Sequence, residues 1–182
     1  ICFNQQSISE ILSMIKYLGS FVGKVEESLN LVNEILQKIN TIKKKTFRIK
    51  PKIYFEEWDD PYISATRWVS EIIEISGGVD IFAKKSRSQK ALKRAVSSQD
   101  VINKNPDIIF ASWCGKKVNF DKIKKRQGWS SINAVKTNSL FEIKSPIILQ
   151  PGPAALTDGL SQIHNLILQW QKSQICSNEE LS

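Results

Sequence analysis

The 182 residues carry 26 Lys and Arg against 18 Asp and Glu, a formal charge of +8, and 41% hydrophobic residues, enough for one domain with a real core. No apolar stretch approaches the ~18 residues that a membrane-spanning helix needs. Cys2, Cys114 and Cys176 are too widely separated for a zinc or redox pair, and their odd number gives no disulfide framework, although a bridge between two of them stays open. The basic excess invites a nucleic-acid partner, yet its clusters at Lys43–Lys45 and Lys122–Arg126 are not interleaved with the aromatics that stack bases. No nucleic-acid partner is expected; the lysines are read as solvated faces.

In chain order, Ser7-Ile8-Ser9-Glu10 is a capping box that opens a helix. Ile8, Ile11, Leu12, Ile15 and Leu18 form its apolar face, and Gly19 to Gly23 loosens or ends it. A second helix from about Val25 to Lys45 carries Leu29, Val32, Leu36, Ile39 and Ile42 at helical spacing. Its ~20 residues span ~30 Å; periodicity alone fits a strut or an ordinary surface helix. After Pro51 strands and helices alternate: strand 52–56, helix 65–76, helix 98–104, strand 107–111, helix 119–126, strand 133–137 and helix 154–172. That order argues for an α/β fold, a mostly parallel sheet covered by helices and preceded by a long helix. The segment Phe82–Arg94, with four lysines and two arginines, is expected to be an exposed loop. The end of the chain from Ser173 has too little apolar content to pack and is expected to fray.

The most informative stretch is Lys52–Gly78. A strand runs into the acidic loop Glu56-Glu57-Trp58-Asp59-Asp60-Pro61, and a helix with Ala65, Trp68, Val69, Ile72, Ile73 and Ile75 follows until Gly77-Gly78. Four acids around an aromatic are costly in a core, so the loop is expected to face water or a ligand. Trp58 follows one strand and Trp113 another, so in a parallel sheet both reach the carboxyl-end rim. There they could sandwich a flat, largely apolar ligand, with Phe141 a further candidate near the rim. Trp68, Trp129 and Trp170 are read as packing residues.

Enzymatic motifs are missing. His164 is the only histidine, which excludes a His-based triad or a His-rich metal site within the chain, and it is expected on a helix surface. Cys114 has no base nearby in sequence and is read as a small buried thiol. The acids of the loop lack the spacing and turn glycine of a calcium loop, and Gly152-Pro153 is no phosphate loop. No catalytic residue, metal ligand or cofactor is expected.

Glu57-Trp58, Pro61, Trp68, Val69–Glu74 and Gly77-Gly78 resemble the C-terminal lobe of cobalamin-binding-type substrate-binding proteins of ABC importers, the helical-backbone class that also takes iron siderophores and haem. Further blocks follow in the same order: Val96–Val101, Asn105–Ile109, Ala111–Gly115, and Leu149–Pro153 with Gly159 beyond. Phe3-Asn4-Gln5 and Ser7–Gly23 resemble the end of the N-terminal lobe. The resemblance implies four parts: residues 1–23 a remnant of the N-terminal lobe, 24–47 the interlobe helix, 48–173 the C-terminal α/β lobe, and 174–182 a disordered tail. Ile1 opens within an apolar motif, so the chain is expected to be a fragment or a processed product. The first helix, parted from its own sheet, should then expose its apolar stripe or pair it with another chain.

The function implied is ligand capture without chemistry, for a corrinoid such as cobalamin first and an iron siderophore or haem next. Glu57, Trp58, Trp113, Cys114 and Phe141 are the implied ligand contacts. Implied partners are the missing N-terminal lobe and a membrane permease, in a periplasmic or exported and surface-anchored protein. The class docks on its permease through an acid of each lobe; here that position is Gln99, with Asp100 beside it. The alternatives are a fragment of a Rossmann-like enzyme, which lacks its glycine-rich turn here, and a basic interaction module.

Overall fold

The computed structural model describes residues 2–45 and 49–179, with side chains to Gln174. The capping box forms as read. Ser7 Oγ accepts from the Glu10 amide at 3.3 Å and Glu10 accepts from the Ser7 amide, starting α1 (Ile8–Phe21). A tight turn leads into α2 (Val25–Lys43). The sheet follows: β1 (Lys52–Asp59), β2 (Tyr62–Ser64), β3 (Val79–Asp80), β4 (Ile108–Ala111) and β5 (Leu140–Glu142). Between and after the strands come α3 (Arg67–Ile75), α4 (Ala83–Ser86), α5 (Ser98–Lys104), α6 (Phe120–Lys124), α7 (Asn133–Lys136), α8 (Ser145–Ile148) and α9 (Leu160–Glu179).

β1 is the organising strand. Its first residues pair in parallel with β3, its second half pairs antiparallel with β2, and its other edge pairs in parallel with β4, which pairs with β5. The α/β reading with a mostly parallel sheet is therefore what the chain adopts. Alternation along the strands separates two cores. Ile53, Phe55, Ile108 and Phe110 point to one face, where they meet α1, α2, α3 and α9. Tyr54, Ile109 and Ala111 point to the other, toward α5, α6, α7 and Trp129.

Several expectations are corrected. The α1 stripe is covered: Ile8, Ile11, Leu12 and Ile15 are buried, and only Leu18 of that face is exposed. The cover comes from α2 and from α3, whose Glu71 accepts the Ile8 amide at 2.8 Å. What stays exposed is a group at the α1–α2 turn, namely Tyr17, Leu18, Phe21, Val22, Val25 and Leu29. The buried stripe of α2 is Ser28, Val32, Ile35, Ile39 and Ile42; Leu29 and Leu36 lie outside it. The stripe turns because α2 is gripped from two sides. Ser28 abuts Gly19 of α1, and Lys38 Nζ donates to the Thr157 carbonyl at 3.0 Å.

Residues 133–137 form a helical turn, not a strand. The Asn133 amide donates to Asn105 Oδ1 at 2.8 Å, and Asn138, at φ 55°, ends the turn so that the chain enters β5 instead. The segment 82–94 is not an open loop throughout: α4 and a 3-10 turn at Ala91–Arg94 bury Phe82 and Arg94, leaving the lysines outside. His164 is buried, not on the surface. Its Nδ1 lies 3.2 Å from the Ser76 carbonyl and its Nε2 3.0 Å from Lys45 Nζ. α9 continues as helix through 174–179, where a frayed tail was expected; residues 46–48 of the connection after α2 and 180–182 lie outside the described residues. No helix among the described residues is long and apolar enough to cross a membrane.

Candidate functional site

The parallel strands β1, β4 and β5 end on one rim, and β1 runs past it into a hairpin with β2. The acidic stretch read as a loop is thus strand. A bulge between Glu56 and Trp58 shifts the register there, and the turn holds a cis Asp60–Pro61 bond. A bulge of this kind lets neighbouring side chains depart from strict alternation and re-aims them.

The acids do not simply face water, as expected, because three of them are matched by cations that the sequence leaves far away. Glu56 is fully buried. It accepts from Arg126 at 2.6 and 2.9 Å, from Trp113 Nε1 at 3.0 Å and from the Tyr54 hydroxyl at 3.2 Å. Four donors fill the acceptor capacity of one carboxylate, the condition under which a buried charge pair is tolerable. The Arg126 guanidinium also lies 4.3 Å from the Tyr62 ring centroid and 4.4 Å from that of Trp129. Burial pulls its pKa down, but Glu56 outweighs this and raises it, so the ion pair is kept. Burial and the Glu56 charge push the Tyr54 hydroxyl well up, which fixes it as a donor.

Glu57 is held bidentately by Arg94 at 2.5 and 3.1 Å, and Arg94 also donates to the Ser64 carbonyl at 2.6 Å. Asp59 takes Lys116 and Lys122, each at 2.6 Å. Burial raises the Asp59 carboxyl, but the two lysines overcome it and hold the group below its usual range. Asp60 stays exposed.

Trp58 is half-buried on this rim, and its Nε1 donates to the Asp60 carbonyl at 2.8 Å. Trp113 is 3% exposed and belongs to the aromatic core. The two indoles are brought to the same place: Lys116 Nζ lies 4.1 Å from the Trp58 ring centroid and 5.0 Å from that of Trp113. An ammonium between two rings is a cation–π contact on both. The indoles therefore do not stand as an open sandwich: Lys116 lies over both rings, and only Trp58 keeps partial exposure.

Cys114, expected to be buried, is exposed and free beside them. Phe141 is not part of this group. It is half-buried on the opposite face of the sheet, its ring 6.0 Å from Phe110. Glu57 is engaged by Arg94, which periodicity could not signal because the partner is 37 residues away. Arg94, Arg126, Lys116 and Lys122 are the rim residues that sequence reasoning missed, although Lys122–Arg126 stood out as a cluster.

At the positions expected to dock a permease, Gln99 Nε2 donates to Asn103 Oδ1 at 2.8 Å. Asp100 closes a second capping box, accepting from the Ser97 amide at 3.0 Å and from its hydroxyl at 2.8 Å. Those bonds hold its carboxyl below the usual range. No cluster of three or more metal-ligating side chains occurs among the described residues.

Comparison with known proteins agrees with this architecture. The chain is 24% identical over 165 residues to an uncharacterized ABC transporter substrate-binding lipoprotein, YvrC, of Bacillus subtilis (strain 168), covering 87% of this chain and 50% of that protein. It therefore spans about half the length of the curated relative it matches. A possible iron-binding (periplasmic solute-binding) protein from Staphylococcus epidermidis ATCC 12228 superposes with a TM-score of 0.73 at 24% identity, over 90% of this chain and 63% of that one. The periplasmic vitamin B12 binding protein BtuF of Vibrio cholerae gives 0.70 at 21%, over 93% and 65%. These likenesses show the fold. Residues 1–147 match the periplasmic binding protein family, and the chain, with its mostly parallel sheet and preceding helix pair, belongs to that family.

Proposed function

We propose that the chain is the carboxyl-terminal lobe, with its interlobe helix, of a substrate-binding protein that serves an ABC importer outside the cytoplasmic membrane. It captures a flat ligand without chemistry, a corrinoid such as cobalamin first and haem or a ferric siderophore next. The observation that carries the reading is Trp58. It is a partly exposed aromatic at the carboxyl ends of the strands, sharing Lys116 with Trp113 and held by a hairpin in which Glu56, Glu57 and Asp59 are each paired with cations. Such a surface suits a large apolar ring, and the family membership favours capture over catalysis. Relatives described as vitamin B12-binding and possibly iron-binding support the ligand class. The exposed Tyr17, Leu18, Phe21 and Val22 at the α1–α2 turn support a further lobe on that side as partner; a membrane permease is the other partner.

Titration of the 182-residue chain with cyanocobalamin, haemin and a ferric hydroxamate, read by tryptophan fluorescence, tests the proposal. Saturable quenching by one of the three, weakened about tenfold or more in Trp58→Ala, is the expected result. Quenching by none, or quenching that Trp58→Ala leaves unchanged, would overturn it.

A further inference from the structure

A second surface lies apart from the rim. Between Phe82 and Gln99 the chain has no acid, and it carries Lys84, Lys85, Arg87, Lys90 and Lys93, all exposed. Among the described residues no carboxylate comes within ion-pair distance of any of the five, whereas Arg94, the sixth cation, is consumed by Glu57. The segment is ordered onto the lobe: Lys85 Nζ donates to the Ala95 carbonyl at 3.0 Å, and the 3-10 turn Ala91–Arg94 is anchored through its buried Arg94. Lys84 and Lys85 border a hollow of about 610 Å³ together with Lys104 and Asp100 of α5. Asp100, beside the expected docking position Gln99, is thus tied into its own capping box and shares this hollow with three lysines and Asp80. On the 3-10 turn Leu92 is 75% exposed and lies in sequence between Lys90 and Lys93.

We propose that this face, built from Lys84, Lys85, Lys90, Lys93 and the protruding Leu92, binds an anionic phospholipid bilayer. Three features favour a bilayer over an acidic protein surface. The cations are mostly lysines, compact charges suited to scattered phosphates, where a protein carboxylate is better met by the arginine fork. None of them is neutralised by a carboxylate among the described residues, so each adds to attraction by an anionic leaflet. A single leucine on a turn between lysines matches entry at the boundary of headgroups and acyl chains. The surface would hold the lobe at the membrane independently of any ligand on the rim.

Flotation of the 182-residue chain with phosphatidylcholine vesicles, with and without phosphatidylglycerol, tests this. Binding is expected only with phosphatidylglycerol, falling steeply between low and physiological salt. Lys90→Gln and Lys93→Gln should each weaken it roughly five-fold. Leu92→Ser should weaken it several-fold at unchanged charge. All three positions are exposed, so circular dichroism should show the parent fold. Equal binding to both vesicle types, or unaltered binding of the double Lys90→Gln/Lys93→Gln variant, would overturn the proposal. So would parent-like binding of Leu92→Ser combined with full competition by soluble polyglutamate, which would mark the surface as a site for an acidic protein.

Discussion

The two faces of the sheet are stabilised by different means. The face under α1, α2, α3 and α9 is mainly aliphatic, with Ile11, Ile35, Ile53, Ile72, Ile73 and Ile163 almost wholly removed from water. There, exclusion of water from apolar area sets the stability, and α1, α2 and α9 are long. The other face mixes aromatics with a buried ion pair, Glu56–Arg126, under short helical turns. Its polar groups must each find a partner, which specifies geometry more strictly than it adds stability. The rim grows out of this second face. The lobe thus divides its labour between a face that holds the chain together and one that aims side chains.

The largest expected effect tests that division directly. Arg126→Ala leaves Glu56 buried and unpaired and should cost about 3–5 kcal/mol in urea unfolding. The double variant Glu56→Gln/Arg126→Met should recover much of this; failure to recover would mean that Arg126 acts through packing between Tyr62 and Trp129 alone. On the aliphatic face, Gly78→Ala should cost about 1–3 kcal/mol, because a new Cβ would overlap Ile53 Cδ1 and crowd Ile73 Cγ2 beneath α3. No loss there would show that this face yields more readily than its burial suggests.

A smaller effect concerns pH. Burial is the main cause that depresses the His164 pKa, and Lys45 adds to it against the Ser76 carbonyl. The unfolded chain takes up a proton near pH 6.5 while the folded chain resists it, so this contribution is complete above that value and lost as pH falls through it. Urea midpoints compared at pH 7.5 and 5.5 should drop less for His164→Gln than for the parent. The smallest effect is Trp58→Ala on stability, about 1 kcal/mol by the same measurement, for a half-buried ring with one cation–π contact. A larger loss would place Trp58 among the structural residues of the aromatic face.

The aliphatic face was the more legible in sequence. Ile8, Ile11, Leu12 and Ile15, and the run from Trp68 to Ile73, announce themselves by spacing that depends only on their own helix. Even there the stripe of α2 was misplaced by one position at both Ser28 and Ile35, since α1 and Thr157 decide which side is covered. The rim was legible only in part. Trp58 and Trp113 could be placed after strands, but the pairing of Glu56 with Arg126 joins residues 70 apart and has no periodic signature. For the same reason the burial of His164 against Ser76, 88 residues away, was invisible. Asn133–Lys136, expected as strand, is held in a helical turn by a hydrogen bond to Asn105, 28 residues away.

The matched charges of the rim bear on the rate of ligand capture. With Glu56, Glu57 and Asp59 each joined to cations within a few ångströms, the hairpin projects little net field beyond a Debye length. Encounter with a ligand would then be governed by diffusion and orientation, without long-range steering. For an uncharged ligand such as cyanocobalamin the association rate constant should vary little with ionic strength, and the effect of rim substitutions should lie in how slowly the ligand leaves.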